Sequence, residues 1–143
     1  GAFVGATPEV IDWLVQKART YVFSTALPPA VAATATAALD LLDEEPERIA
    51  LLHQRIALFR QAAAQRGLPL AASTTAIQPV VLGDAARAMR ASASLLARGY
   101  FVPAIRPPTV PEGTARLRVT LSATHSAADV VGLVGALAES LAP

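Results

Sequence analysis

The sequence has 143 residues, 53% of them hydrophobic and 16% charged, with a formal net charge of +1 and no cysteine. That length fits one domain and that apolar content can fill a core, while the near-neutral charge excludes the broad basic face that nucleic-acid binding needs. Without cysteine there is neither a disulfide framework nor a thiolate metal site.

A chain so poor in charge leaves apolar surface for a second subunit or a longer chain to cover. No apolar run approaches the roughly 18–20 residues that cross a bilayer. No charged segment followed by an apolar one marks a signal peptide. The opening run Gly1-Ala2-Phe3-Val4-Gly5-Ala6 has no methionine and reads as a short buried strand. An orphan strand at the start of a domain leads us to expect a piece of a longer chain.

Thr7-Pro8-Glu9 is a helix start: Thr7 suits the cap, Pro8 the first helical position and Glu9 the positive end of the dipole. Ile11, Leu14, Val15 and Ala18 follow at helical spacing. Thr20 to Pro29 mixes aromatic and β-branched residues with two final prolines, which predicts an extended or turning segment. Ala30 to Asp43 is alanine-rich and predicts a helix. Pro46 starts another, in which Ile49, Leu52, Ile56, Phe59 and Ala63 form an apolar stripe that Arg66 and Gly67 close.

Ala76 to Leu82 reads as a strand, and Pro79 within it points to an edge or a bulge. Residues 84–98 read as a helix ending at Gly99, and Tyr100 to Ile105 as a second strand. Arg106 to Thr114 is a proline-rich loop. From Ala115 to Leu121 the residues alternate, with Leu117, Val119 and Leu121 on one face and Arg116, Arg118 and Thr120 on the other, as in a half-buried strand. Ser126 and Asp129 resemble a capping box for a last helix lined by Val130, Leu133, Val134, Leu137 and Leu141. Leading helices followed by β-α-β-β-α predict an α/β domain, α+β-like, with a small mixed or antiparallel sheet and helices on one face.

The catalytic inventory is thin. His53 lies beside the apolar stripe and His125 just before a helix cap; both read as structural or surface histidines. No histidine or carboxylate pair has metal-ligand spacing, and Ser24 and Ser122 lack a nucleophile-elbow context. Lys17, the one lysine, sits where a helix C-terminus welcomes a cation. Arg106 stands on a stiff proline segment and Arg118 on a strand, and a guanidinium held rigidly can clamp a carboxylate with two parallel hydrogen bonds. The plain alternative is two surface arginines. Residue chemistry alone reaches a candidate anion site on a mixed α/β domain.

Three stretches resemble the α-oxoamine synthases: Arg19-Thr20-Tyr21-Val22-Phe23-Ser24-Thr25-Ala26-Leu27-Pro28-Pro29, the run from Ala104 to Arg118, and Leu121-Ser122-Ala123-Thr124-His125. Within that family, Ile105-Arg106-Pro107-Pro108-Thr109 resembles the branch that condenses L-alanine with a pimeloyl thioester, losing carbon dioxide. The resemblance implies the fold-type I architecture of pyridoxal-phosphate enzymes and a cytoplasmic homodimer with active sites at the subunit interface. It further implies that residues 1–29 are the tail of the large cofactor domain and 30–143 the small C-terminal domain with its leading helices.

On the same resemblance Ser24 and Thr25 reach across the dimer to the cofactor phosphate, and Arg118 holds the amino-acid carboxylate. Arg106 and Thr109 contact the substrate or the keto-acid intermediate, and Arg116 serves a structural ion pair. The cofactor lysine, the ring-stacking histidine and the pyridinium-pairing aspartate are expected upstream of Gly1, so this chain alone is expected to be inactive. Two alternatives stand beside this reading: a sister synthase with another acyl substrate, and a non-catalytic module whose alanine-rich helices mediate dimerisation.

Overall fold

The computed structural model describes residues 4–142. The chain divides into two compact units, Gly1–Pro46 and Glu47–Pro143.

In the first unit, α1 spans Pro8–Lys17, with Pro8 and Glu9 in its first turn and Lys17 in its last. The Lys17 ammonium lies 5.6 Å from the centre of the Trp13 ring. Thr7 occupies the cap position, but its side chain makes no bond to the helix N–H groups. A backbone N–H of Glu9 and then the Thr7 hydroxyl hold the Glu9 carboxyl below the usual carboxylate range.

The segment expected to run extended from Thr20 starts instead in a short helix, α2 (Arg19–Val22). Ala18, extended at ψ 102°, breaks the first helix. Its carbonyl then accepts the N–H groups of Tyr21 and Val22, both at 2.9 Å. A β-prone segment with no strand beside it satisfies its backbone locally. Residues 25–28 do run without regular structure into α3 (Pro29–Glu44). Residues 4–7 form no strand, for want of a partner strand in this unit; residues 1–3 lie outside the described residues. No residue of α1, α2 or α3 is buried, and Trp13 and Phe23 are 65% and 78% exposed.

The second unit holds the core. Its elements are α4 (Glu47–Gln65), β1 (Ile77–Gly83), α5 (Ala85–Ala97), β2 (Ala104–Ile105), β3 (Ala115–Thr120) and α6 (Ala127–Leu141). The three strands form an antiparallel sheet in the order β1-β3-β2. Pro79 therefore lies on an edge strand, as expected, and the register of that strand slips between Val81 and Gly83.

The second strand is shorter than the sequence suggests, with only Ala104 and Ile105 in the ladder. The Tyr100 N–H is drawn back to the Leu95 carbonyl at the end of α5 (2.9 Å). Pro103 accepts from Arg118 N–H at 3.0 Å and has no N–H to return.

Alternation along the strands sorts the two sheet faces. Gln78, Val80 and Leu82 of β1 and Ala115, Leu117 and Val119 of β3 are buried. Helix α5 packs against all three strands, and α6 packs on both α4 and α5. Phe59, Leu95, Leu117, Val134 and Leu137 are each fully enclosed at the centre of this layer. Among the described residues Gln78 is the one buried polar side chain; it accepts from Arg60 Nη1 (2.7 Å) and donates to the Thr75 carbonyl (2.6 Å). Those bonds tie α4 to the entry of β1 and leave neither end of the amide unsatisfied.

The expected capping box at α6 is complete. The Ser126 hydroxyl accepts the Asp129 N–H, and Asp129 Oδ2 accepts the Ser126 N–H at 2.9 Å. The hydrogen bonds from the Ser126 hydroxyl and then its N–H hold the Asp129 carboxyl below its usual range. A depressed folded-state value means that this contribution is present above the unfolded pKa, about 4, and fades as pH falls through the lower folded value. Ser126→Ala is therefore expected to lower the urea midpoint at pH 7, with a smaller difference at pH 3. Equal differences at both pH values would contradict the coupling.

Candidate functional site

On the other sheet face, Arg116, Arg118 and Thr120 of β3 stand opposite Val81, Pro79 and Ile77 of β1. Within this unit no helix covers that face: Ile77 is 45% exposed, and Arg118 and Thr120 are exposed. Strand alternation thus delivers two arginines, two residues apart, to one open surface. Among the described residues the Arg118 guanidinium has no hydrogen-bond or ion-pair partner. A cation fixed on a strand, free of any internal carboxylate, suits an external anion.

Arg106 leaves β2 one residue after the Ile105–Arg116 pair, on the order of 10 Å along the strand axis from Arg118. The Pro107–Pro108 peptide is cis, and Thr109 N–H donates to the Arg106 carbonyl at 3.0 Å, closing a turn. Arg106 and Thr109 thus stand exposed in the turn that follows β2, the strand paired with the one that carries Arg118.

Arg116 departs from expectation. No carboxylate among the described residues pairs with it; its Nε–H donates to the Thr114 carbonyl at 2.9 Å. Thr114 in turn donates from Oγ1 to the Pro111 carbonyl at 2.7 Å. Sequence reading passed over Thr114; the available signal was a hydroxyl residue at the junction of a proline-rich loop and an arginine-bearing strand.

His53 is exposed on α4, and His125 Nδ1 accepts the Ser122 N–H at 3.2 Å while its carbonyl takes Arg55 Nε–H at 2.7 Å. Among the described residues no cluster of three or more His, Cys, Asp or Glu could hold a metal. No helix of the described residues is long and apolar enough to cross a membrane.

Ser24 and Thr25 lie in the first unit, just after α2. The Ser24 hydroxyl donates to the Thr20 carbonyl. Among the described residues the Thr25 hydroxyl and the N–H groups of Thr25, Ala26 and Leu27 have no hydrogen-bond partner. Free donors in one short segment are the chemistry an anionic phosphate needs, so these residues fit that group.

These features sit in a chain that belongs to the class I and II aminotransferase family, whose model matches residues 1–137. The fold is that of the fold-type I enzymes, whose cofactor is pyridoxal phosphate. The chain is 58% identical over 125 residues to the 8-amino-7-oxononanoate synthase of Chromohalobacter salexigens, covering 87% of this chain and 32% of that one. The solved 8-amino-7-oxononanoate synthase of Francisella tularensis superposes with a TM-score of 0.78 at 26% identity, over 94% of this chain and 39% of that one. The Sphingomonas wittichii serine palmitoyltransferase gives a TM-score of 0.81 at 32% identity, over 96% and 35%. This chain thus spans about a third of the length of the relatives it matches.

Proposed function

We propose that this chain is the carboxyl-terminal part of a pyridoxal-phosphate enzyme that condenses L-alanine with a pimeloyl thioester, on coenzyme A or a carrier protein. The products are carbon dioxide, the thiol carrier and 8-amino-7-oxononanoate. The observation that carries this is Arg118, without a partner among the described residues, on the helix-free face of β3, in a chain 58% identical to a synthase of that name. The enzyme acts as a cytoplasmic homodimer, with residues 1–29 closing the large cofactor domain and 30–143 forming the small domain. The exposed apolar side chains of α1–α3 offer surface for the rest of a longer chain or a second subunit to cover.

When bound, the cofactor withdraws electrons from the amino-acid α-carbon, which neither arginine nor threonine can do. The chain's own residues bind and orient. Arg118 would take the alanine carboxylate in two parallel hydrogen bonds and so hold the amino acid in one orientation. Arg106 and Thr109, held by their turn, contact the acyl substrate. Thr25 and the N–H groups of 25–27, with Ser24 once it releases the Thr20 carbonyl, bind the cofactor phosphate across the dimer. Lys17 ends α1 over the Trp13 ring, which supports a structural role for it, and on this reading the 143 residues alone have no activity.

Product analysis of the full-length enzyme tests the assignment. L-alanine with pimeloyl-coenzyme A should give 8-amino-7-oxononanoate, with serine or glycine and longer acyl thioesters giving little. Preference for a long-chain thioester with serine would overturn the substrate assignment in favour of the sister activity. Changing Ser24 and Thr25 together to alanine should weaken cofactor binding at least roughly tenfold, since each hydrogen bond to a charged group is worth about 1.5–3 kcal/mol. Equilibrium dialysis of the cofactor reads this, and unchanged affinity would remove both residues from the phosphate site.

A further inference from the structure

The loop from Arg106 to Thr114 contains three prolines, Pro107, Pro108 and Pro111. Such a loop is rich in carbonyl acceptors and short of N–H donors. Its internal backbone bonds are the Thr109 N–H to Arg106 and the Thr114 N–H to Pro111, at 3.0 and 3.2 Å. Gly113, at φ 73°, supplies the left-handed residue that lets the loop turn back into β3. Thr114 Oγ1 adds a bond to the Pro111 carbonyl at 2.7 Å, and from outside the loop Arg116 Nε–H donates to the Thr114 carbonyl at 2.9 Å. Arg116 is half-buried while its neighbour Arg118 is exposed, although both stand on the same sheet face.

We propose that Arg116 is a positioning residue for the acyl substrate. Its Nε–H fixes Thr114, Thr114 fixes Pro111, and the returning half of the loop is thereby held in the shape that presents Arg106 and Thr109. The inference rests on the reading above that those two residues contact the acyl substrate. It assigns the neighbouring arginines separate tasks, Arg118 for the amino acid and Arg116 for the loop. The donor near the strand matters more than the charge. Lysine keeps the charge but carries its single ammonium beyond the position of Nε.

The test uses Arg116→Lys and Arg116→Met in the full-length enzyme. Both should raise KM for pimeloyl-coenzyme A roughly five- to tenfold, the worth of one positioned hydrogen bond. The L-alanine dissociation constant, read from cofactor absorbance, should stay within twofold. Amide exchange of the peptide covering 106–116 should accelerate in both variants while exchange in α5 and α6 does not.

Wild-type KM in the lysine variant would show that charge is what counts and would overturn the proposal. So would an equal loss of alanine affinity, or unchanged loop exchange. If Arg116 variants fail to fold, Thr114→Val removes only the Oγ1 bond to Pro111; it should produce the same selective change at smaller size, and no change would overturn the proposal. If the unaltered enzyme uses a different acyl thioester, the substrate assignment falls, and the loop role is read from that thioester's KM and from the exchange rates.

Discussion

Replacing Arg118 by alanine in the full-length enzyme is expected to raise the L-alanine dissociation constant roughly 100-fold. Two parallel charge-assisted hydrogen bonds, each worth about 1.5 kcal/mol net, amount to about that factor. The side chain is exposed and has no internal partner among the described residues, so its removal leaves nothing buried unsatisfied. Stability should therefore change by less than about 0.5 kcal/mol. Arg118→Lys keeps a point charge but loses the fork, and should fall between wild type and alanine. Titrating the cofactor absorbance with L-alanine reads all three proteins. Unchanged affinity in the alanine variant would move the carboxylate elsewhere.

Phe59→Ala should produce the largest loss of stability. Phe59 is 0% exposed in α4, within the cluster that holds Val80, Leu117 and Leu137. Deleting the ring removes its transfer energy and leaves a cavity that the rigid sheet cannot close, a cost of about 3–5 kcal/mol. A single domain commonly has only about 5–15 kcal/mol to lose. Leu96→Ala on the outer side of α5, where Leu96 is 59% exposed, is the control and should cost little more than its slight loss of helix packing. Urea unfolding of both variants checks the pair. Similar midpoints would mean that the buried layer around Phe59 does not carry the fold.

Where periodicity was long and one face was buried, the sequence was legible. Of the stripe on α4, Ile56, Phe59 and Ala63 are buried while Leu52 is half-buried and Ile49 exposed, and the alternation Leu117, Val119 on β3 is buried as its spacing implies. Capping chemistry is equally local, and Ser126 with Asp129 forms the box that their spacing suggests. What escaped depends on partners that a linear reading does not supply. Residues 100–103 have strand-like composition, but the helix end claims the Tyr100 N–H and Pro103 cannot return a bond to Arg118. Residues 20–22 are β-prone yet close a helical turn on the Ala18 carbonyl. Thr7 stands where a cap belongs, but its hydroxyl serves Glu9.

The site divides in the same way. Arg118 was visible because strand alternation puts it beside Arg116 on one face. Its lack of an internal partner among the described residues, and the turn that Arg106 and Thr109 close after β2, emerge only with the fold. Arg116 was expected in an ion pair, and its bond to the Thr114 carbonyl has no signature in residue type.

The central claim is that the open face of β3 receives the amino-acid substrate through Arg118. A crystal structure of the full-length enzyme soaked with L-alanine tests it most directly. The expected result is the alanine carboxylate within hydrogen-bond distance of both terminal nitrogens of Arg118, on the side of the sheet away from α5. A carboxylate held by another cation, with Arg118 still free in solvent, would contradict it.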